Sequence, residues 1–252
     1  MNIETKDTQW QTINQPCVGV AIRGSELFMG CVGFIRVYDL SGKTFCQRFG
    51  KEVLANWVNG LAIHKNTLLA TECTSKLHVF TIDGKHNNSF TIDGMLDGRG
   101  MTIHNHKLFI CDWLGCCVRV VDPDTGQLLK TIGGWKDHPR FIASADNRLY
   151  VTEFSNNKVK VMDEHGTFVD QFSVSYPTGI AISGKDIIVS ECVKHQVSIY
   201  DKNHKFVKVL LECSRPDGVF ITDRGRVIIT AFDFKTYISS MADVNIDVVV
   251  FV

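Results

Sequence analysis

The chain carries no excess of charge: 27 Lys and Arg stand against 27 Asp and Glu in 252 residues. That excludes a field of one sign drawing it to nucleic acid or to an anionic membrane, so any such contact has to rest on a local patch. Long apolar runs are also missing, and the final stretch 248–252 (VVVFV) is far short of the roughly 18 residues of a membrane span. The opening MNIETKDTQWQTINQ has no basic start followed by an apolar stretch, so a secretory leader is not expected and a cytoplasmic protein is. Nine cysteines are present, yet no pair has the C-x-x-C spacing of zinc ribbons or redox sites, and most are expected to be reduced core thiols. The local parts of phosphate-loop, dinucleotide, serine-hydrolase and zincin chemistry are absent as well.

What the chain does have is a repeat. A glycine followed by alternating apolar residues recurs at Gly19 (GVAI), Gly60 (GLAI), Gly100 (GMTI), Gly179 (GIAI) and Gly218 (GVFI), with Phe141 (FIAS) in the corresponding place of the fourth copy. Subtracting these positions gives intervals of 38 to 41 residues. Each copy continues into a second apolar run: LFMGC (27–31), LLATE (68–72), LFICD (108–112), LYVTE (149–153), IIVSE (187–191) and VIITA (227–231), four of which end in an acid. A third run follows a polar turn, as in IRVYD (35–39) and VKVMD (159–163), and a fourth follows another turn, as in TFCQRF (44–49) and TFVDQF (167–172). Short runs of β-branched and aromatic residues with period two predict strands, and no segment shows a convincing helical period.

Units of about 40 residues with four strands each predict an all-β, six-bladed β-propeller. It forms one domain over 1–252, with inner strands starting near Val18, Asn59, Arg99, Arg140, Thr178 and Asp217. The last unit has residues for three strands, so residues 8–13 are expected to supply its fourth and close the ring. The competing reading makes residues 234–241 its third strand and the tail its fourth.

The order Pro-x-Gly-apolar, apolar-x-Val-x-Glu, polar turn, apolar-x-apolar-aromatic-Asp is fullest in residues 149–172, 176–210 and 215–221. It resembles the NHL repeat family, specifically the NHL propellers of tripartite-motif and Brat-like proteins, over essentially the whole chain. Blade one departs from the pattern with Gly30 and Cys31 in place of the second-strand acid, and blade three with Cys116 and Cys117 where Asn-x-Lys is common. The resemblance implies a non-catalytic, target-selecting domain without a cofactor that binds protein or RNA on the face where the inner strands begin. The RING and B-box domains that carry ubiquitin-ligase chemistry in tripartite-motif relatives are not in this sequence. Some NHL-like propellers are metal-dependent lyases or lactonases, which leaves a small-molecule enzyme with a metal in its central channel as the alternative.

On that face the residue before each repeat position forms a chemically uneven ring: Val18, Asn59, Arg99, Arg140, Thr178 and Asp217. Turns between second and third strands add Trp113, Phe154, Lys158 and His195, and the loops leading into each blade add Trp57, Trp135, Lys136, His138, Tyr176 and Arg215. The leading contacts are Asn59, Arg99, Arg140, Trp113, Phe154 and Lys158, with Trp135 and His195 beside them. Arginines would grip a carboxylate or phosphate, and aromatics would supply contact area or stack on bases. Five cations in the lead-in loops (Lys51, Arg99, Lys136, Arg140, Arg215) meet six acids (Glu52, Asp93, Asp97, Asp137, Glu212, Asp217), so a protein partner weighs above RNA. Neither DNA nor membrane binding is expected, and the domain reads as a monomer.

The second-strand acids Glu72, Asp112, Glu153 and Glu191 recur once per blade, which reads as acceptance of turn amides rather than catalysis. His64, His104 and His106 raise a metal site, but with no carboxylate expected beside them they read as solvated hairpin histidines. Deleting residues 1–13 is expected to lower the melting temperature in calorimetry, whereas an unchanged value would place closure elsewhere.

Overall fold

A strand with one apolar face must lay it on another sheet, and each repeat does so against its two neighbours. The computed structural model describes residues 17–41, 44–222 and 227–231, with the backbone of 240–241 and 246–250. Blade one comprises Val20–Arg23, Glu26–Gly30, Ile35–Asp39 and Thr44–Phe49. Blade two comprises Val58–His64, Thr67–Glu72, Lys76–Thr81 and His86–Thr91, and blade three Gly98–His104, Lys107–Asp112, Cys117–Val121 and Leu128–Ile132. Blade four is Pro139–Ala145, Arg148–Glu153, Lys158–Asp163 and Phe168–Ser173, and blade five Pro177–Ser183, Asp186–Glu191, Gln196–Tyr200 and Phe206–Glu212. All five are four-stranded antiparallel meanders in chain order. Among the described residues no helix is long and apolar enough to cross a membrane.

The core lies between blades. Phe28 and Ile35 of blade one meet Leu68 and Phe80 of blade two; Leu69 and Leu77 meet Leu108 and Val121; Phe109 and Val118 meet Leu149 and Met162. Each fully buried side chain of this kind contributes about 1.5–3 kcal/mol through removal from water. The repeat glycine follows from how closely the inner strands approach each other. A methyl group at Gly60 would sit 2.3 Å from the Arg99 carbonyl oxygen, and one at Gly179 would sit 2.4 Å from the Val219 amide nitrogen.

Hydroxyls immediately before the second-strand acid fasten blade to blade. Thr71 Oγ1 donates to the Arg99 carbonyl at 2.9 Å, and Thr152 Oγ1 donates to the Thr178 carbonyl at 2.7 Å while accepting from the Phe141 amide at 2.9 Å. Thr230 Oγ1 reaches the Val18 carbonyl at 3.4 Å, joining the last repeat to the first across the ring.

The expectation of six like blades is corrected to five. Pro216–Ile221 and Val227–Ala231 pair antiparallel as in the other repeats, but Ile246–Val250 lies beside Val227–Ala231 in the parallel sense, with Ser240–Met241 outside it. The tail thus occupies the third place expected of it, but it runs parallel to its neighbour, in the wrong direction for a meander. Closure by residues 8–13 lies outside the described residues.

Thr152→Val keeps the shape of the side chain but leaves the Phe141 amide without its buried acceptor. A loss of about 1–3 kcal/mol is expected in denaturant unfolding.

Candidate functional site

In blades two to five the second strand ends in a buried carboxylate that fixes the loops of one face. Glu72 Oε2 accepts the amides of Ala55 and Asn56 at 3.0 and 2.8 Å, so it holds the loop leading into its own blade. Asp112 Oδ1 does the same with Leu96 and Asp97 (3.1 and 3.0 Å) and adds the Gly115 amide of the next turn at 3.1 Å. Glu191 accepts from the Ser175 amide at 3.3 Å. Burial alone would push the Glu191 carboxyl up, but bonds from Lys194, Ser198 and Gln196 hold it below the usual range. Amide acceptance, as expected, therefore describes these three acids. Blade four inverts the arrangement: Glu153 pairs with Lys160 at 2.5 Å and Asn156 Nδ2 at 3.2 Å, while Asp137 of the lead-in loop accepts the Asn156 amide at 2.7 Å.

The third strand places a basic side chain opposite each of three acids: His78 3.3 Å from Glu72, Arg119 3.0 Å from Asp112, and Lys160 beside Glu153. Burial outweighs Glu72 at His78 and lowers its imidazole pKa.

Inner strands begin with a register slip, as between Pro139 and Ile142 or Val58 and Gly60. A bulge there re-aims the residue before the repeat position. Arg140 accordingly crosses to Asp217, with Nε and Nη2 both on Asp217 Oδ1 at 3.1 and 2.7 Å. Arg99 Nη2 meets Asp97 Oδ2 at 2.8 Å. Both guanidiniums lie against the Trp113 indole, at 5.4 and 5.8 Å from its centroid, and Arg140 also lies 5.7 Å from Phe154. His138 stacks on Trp113 at 4.9 Å, and its Nδ1–H donates to the Trp113 carbonyl at 2.7 Å. Phe154 continues the aromatic row to Tyr176 at 5.4 Å.

Four of the expected contacts, Arg99, Arg140, Trp113 and Phe154, are thus brought together, half-buried, between blades three and four. The others are not part of this cluster. Asn59 is buried with its amide on Cys73 Sγ at 3.0 Å, and Trp135 packs on the core between blades three and four under Lys160. Lys158 lies 3.7 Å from Glu153, and His195 is exposed at blade five with its Nδ1 accepting the Arg215 amide at 3.0 Å.

Reading His64 and His104 as solvated is corrected, because carboxylates arrive from the next blade. His64 is buried and its Nε2 lies 3.1 Å from Asp124, while His104 Nε2 lies 3.9 Å from Glu164. Among the described residues no group of three or more His, Cys, Asp or Glu is placed to hold a metal ion. None of the nine cysteines is in a disulfide, and burial pushes Cys117, beside the Trp113 turn, up to about 11.

The same face exposes aliphatic side chains that pattern reasoning passed over: Leu96 (57%) and Leu114 (58%) in blade three, Val193 (54%) in blade five and Val32 (44%) in blade one. Each sits at a turn or lead-in loop, where period two does not apply. The signal was an apolar residue among polar turn neighbours. The central channel beneath is a hollow of about 280 Å³ whose described polar side chains are Asn59, Thr102 and Ser144.

Arg140→Ala removes the partner of a fully buried carboxylate. Unfolding is expected to be easier by about 3–5 kcal/mol, and Asp217→Asn in the same chain should restore much of that loss.

No protein-family model matches the chain. It is 28% identical over 101 residues to protein brain tumor of Drosophila melanogaster, a match covering 34% of this chain and 10% of that protein, so the chain spans a small part of its relative's length. The computationally designed protein Ika8 superposes on 87% of this chain and 69% of its own with a TM-score of 0.60 at 16% identity. Together with five four-stranded blades and an inner-strand contact from last repeat to first, these likenesses establish the chain as a β-propeller, similar over a third of its length to protein brain tumor.

Proposed function

We propose that this protein is a non-catalytic recognition platform of NHL type that takes a protein ligand on the face carrying Trp113. One observation carries the reading. Exposed Leu96, Leu114 and Tyr176 border a half-buried row of Trp113 and Phe154, on turns, and Arg99 and Arg140, at the starts of inner strands, with the adjoining loops fixed from below by buried acids. Aromatic and arginine anchors inside an apolar rim are the side chains from which protein interfaces draw most of their energy. The arginines favour a protein over RNA because each already meets an aspartate, Asp97 or Asp217, and so adds little net charge for a phosphate backbone. The local similarity to protein brain tumor and the repeat of about 40 residues support the NHL assignment. An enzyme with a metal in the channel has less to build on, since the described lining offers an amide and two hydroxyls.

The test uses variants at exposed positions that leave the buried pairs intact. Wild-type protein, Leu114→Asp and Tyr176→Ala are compared in capture from lysate and in selection from a random RNA pool across a salt series. The expected result is a protein bound by the wild type, retained as salt rises, and weakened at least tenfold in Leu114→Asp. Enrichment of an RNA that the same variant loses, with a steep salt dependence, would replace the protein reading. Ligands bound equally by all three forms would remove this face from consideration.

A further inference from the structure

Blade one departs from blades two to four in how its third-strand basic residue is partnered. The third-strand residue paired with the position two before the end-acid position is Arg36, His78, Arg119 and Lys160 in blades one to four. In blades two, three and four that basic side chain faces the second-strand acid of its own blade. Blade one has Cys31 where the acid would stand, one residue beyond Gly30. Arg36 therefore keeps the cation of the motif without its carboxylate. Among the described residues its buried Nε has no hydrogen-bond partner, and Nη1 donates to the Tyr38 hydroxyl at 3.3 Å, a neutral acceptor.

A second charge of the same sign stands directly opposite. Arg48 of the outer strand is the register partner of Arg36. Side chains of such a pair leave the same face of the sheet a few ångströms apart, and like charges there repel. Asp39, the acid of that strand, turns to Ser41, whose hydroxyl lies 2.7 and 2.8 Å from its two oxygens. Around the arginines lie aromatic rings: Arg36 is 5.8 Å from Phe34 and 5.7 Å from Phe45, and Lys51 is 5.8 Å from Phe34. Arg36, Phe45, Gln47 and Arg48 line a hollow of about 470 Å³ on this flank.

We propose that this hollow binds a phosphomonoester, whose oxygens take the place of the carboxylate that blade one lacks. Two guanidiniums on one side present forked donors that match the tetrahedral oxyanion. A dianion there relieves the repulsion between Arg36 and Arg48 and gives the buried Nε an acceptor. The rings of Phe45 and Phe34 provide a surface for an aromatic group carried by the ester. The site lies on the flank of blade one, distinct from the face that carries Trp113, and does not depend on the reading of that face.

The experiment is titration calorimetry of the whole chain with O-phosphotyrosine, adenosine 5′-monophosphate and inorganic phosphate, repeated on Arg48→Gln and Cys31→Asp. Arg48 is exposed, so its variant keeps the fold. Cys31→Asp restores the acid found in the other blades and should occupy Arg36 from within. The expected result is saturable binding by the wild type, at least tenfold weaker in Arg48→Gln and in a folded Cys31→Asp. Preference for phosphotyrosine identifies a phosphopeptide, preference for the nucleotide identifies a nucleotide, and equal binding identifies the phosphoryl group alone as the recognised element. Absence of saturable binding by all three probes, or binding that Arg48→Gln leaves unchanged, would overturn the proposal.

Discussion

A carboxylate buried at the end of the second strand is the contact on which the organisation of the propeller face that carries Trp113 depends. Isolated in a low-dielectric interior it would be costly, so it is found where amides and a cation surround it. Asp112 shows the arrangement most fully: one oxygen holds Leu96, Asp97 and Gly115, and the other meets Arg119. The loop before the blade and the turn within it are thereby tied to a single atom. Arg99 and Trp113 stand on those two segments, and their contact follows from that tie.

The same logic explains how a neutral chain can have a chemically distinct face. Arg140 and Arg99 reach the channel rim because bulges turn the start of each inner strand, and each is met by an aspartate of the same face. With its arginines paired, this face presents the aromatic row and the exposed aliphatics beside neutralised charge. Where the pairing is broken, at Arg36, the break coincides with the loss of the second-strand acid in blade one. Variation between blades is thus placed at positions whose partners the repeat otherwise specifies.

Much of the fold was legible from two residue types. The repeat glycine and the strand-end acid recur at positions where the first prevents a collision with the next inner strand and the second anchors a loop, so their spacing gave the strands and their order. Three things were not legible. The Arg140–Asp217 pair joins residues 77 apart and exists only once the ring is closed. Asp124 and Glu164 reach His64 and His104 from the neighbouring blade, a contact that no pattern within one repeat contains. The parallel direction of Ile246–Val250 was not legible because the sequence of 232–245 lacks the period that marked the other repeats. Of the candidate contacts, Trp113 and Phe154 were found by their place after the strand-end acid, whereas Leu114 and Val193 were passed over because apolar turn residues carry no periodic signal.

The claim that buried second-strand acids hold the Trp113 face in shape is tested most directly by amide hydrogen exchange on Asp112→Asn. Substitution leaves the size of the side chain unchanged while removing the charge that the three amides and Arg119 share. Faster exchange at Leu96, Asp97 and Gly115, by about tenfold or more, with Ile188 and Val189 in blade five unchanged, is the result this account predicts. Unchanged protection of the three amides, or an equal loss across all blades, would contradict it.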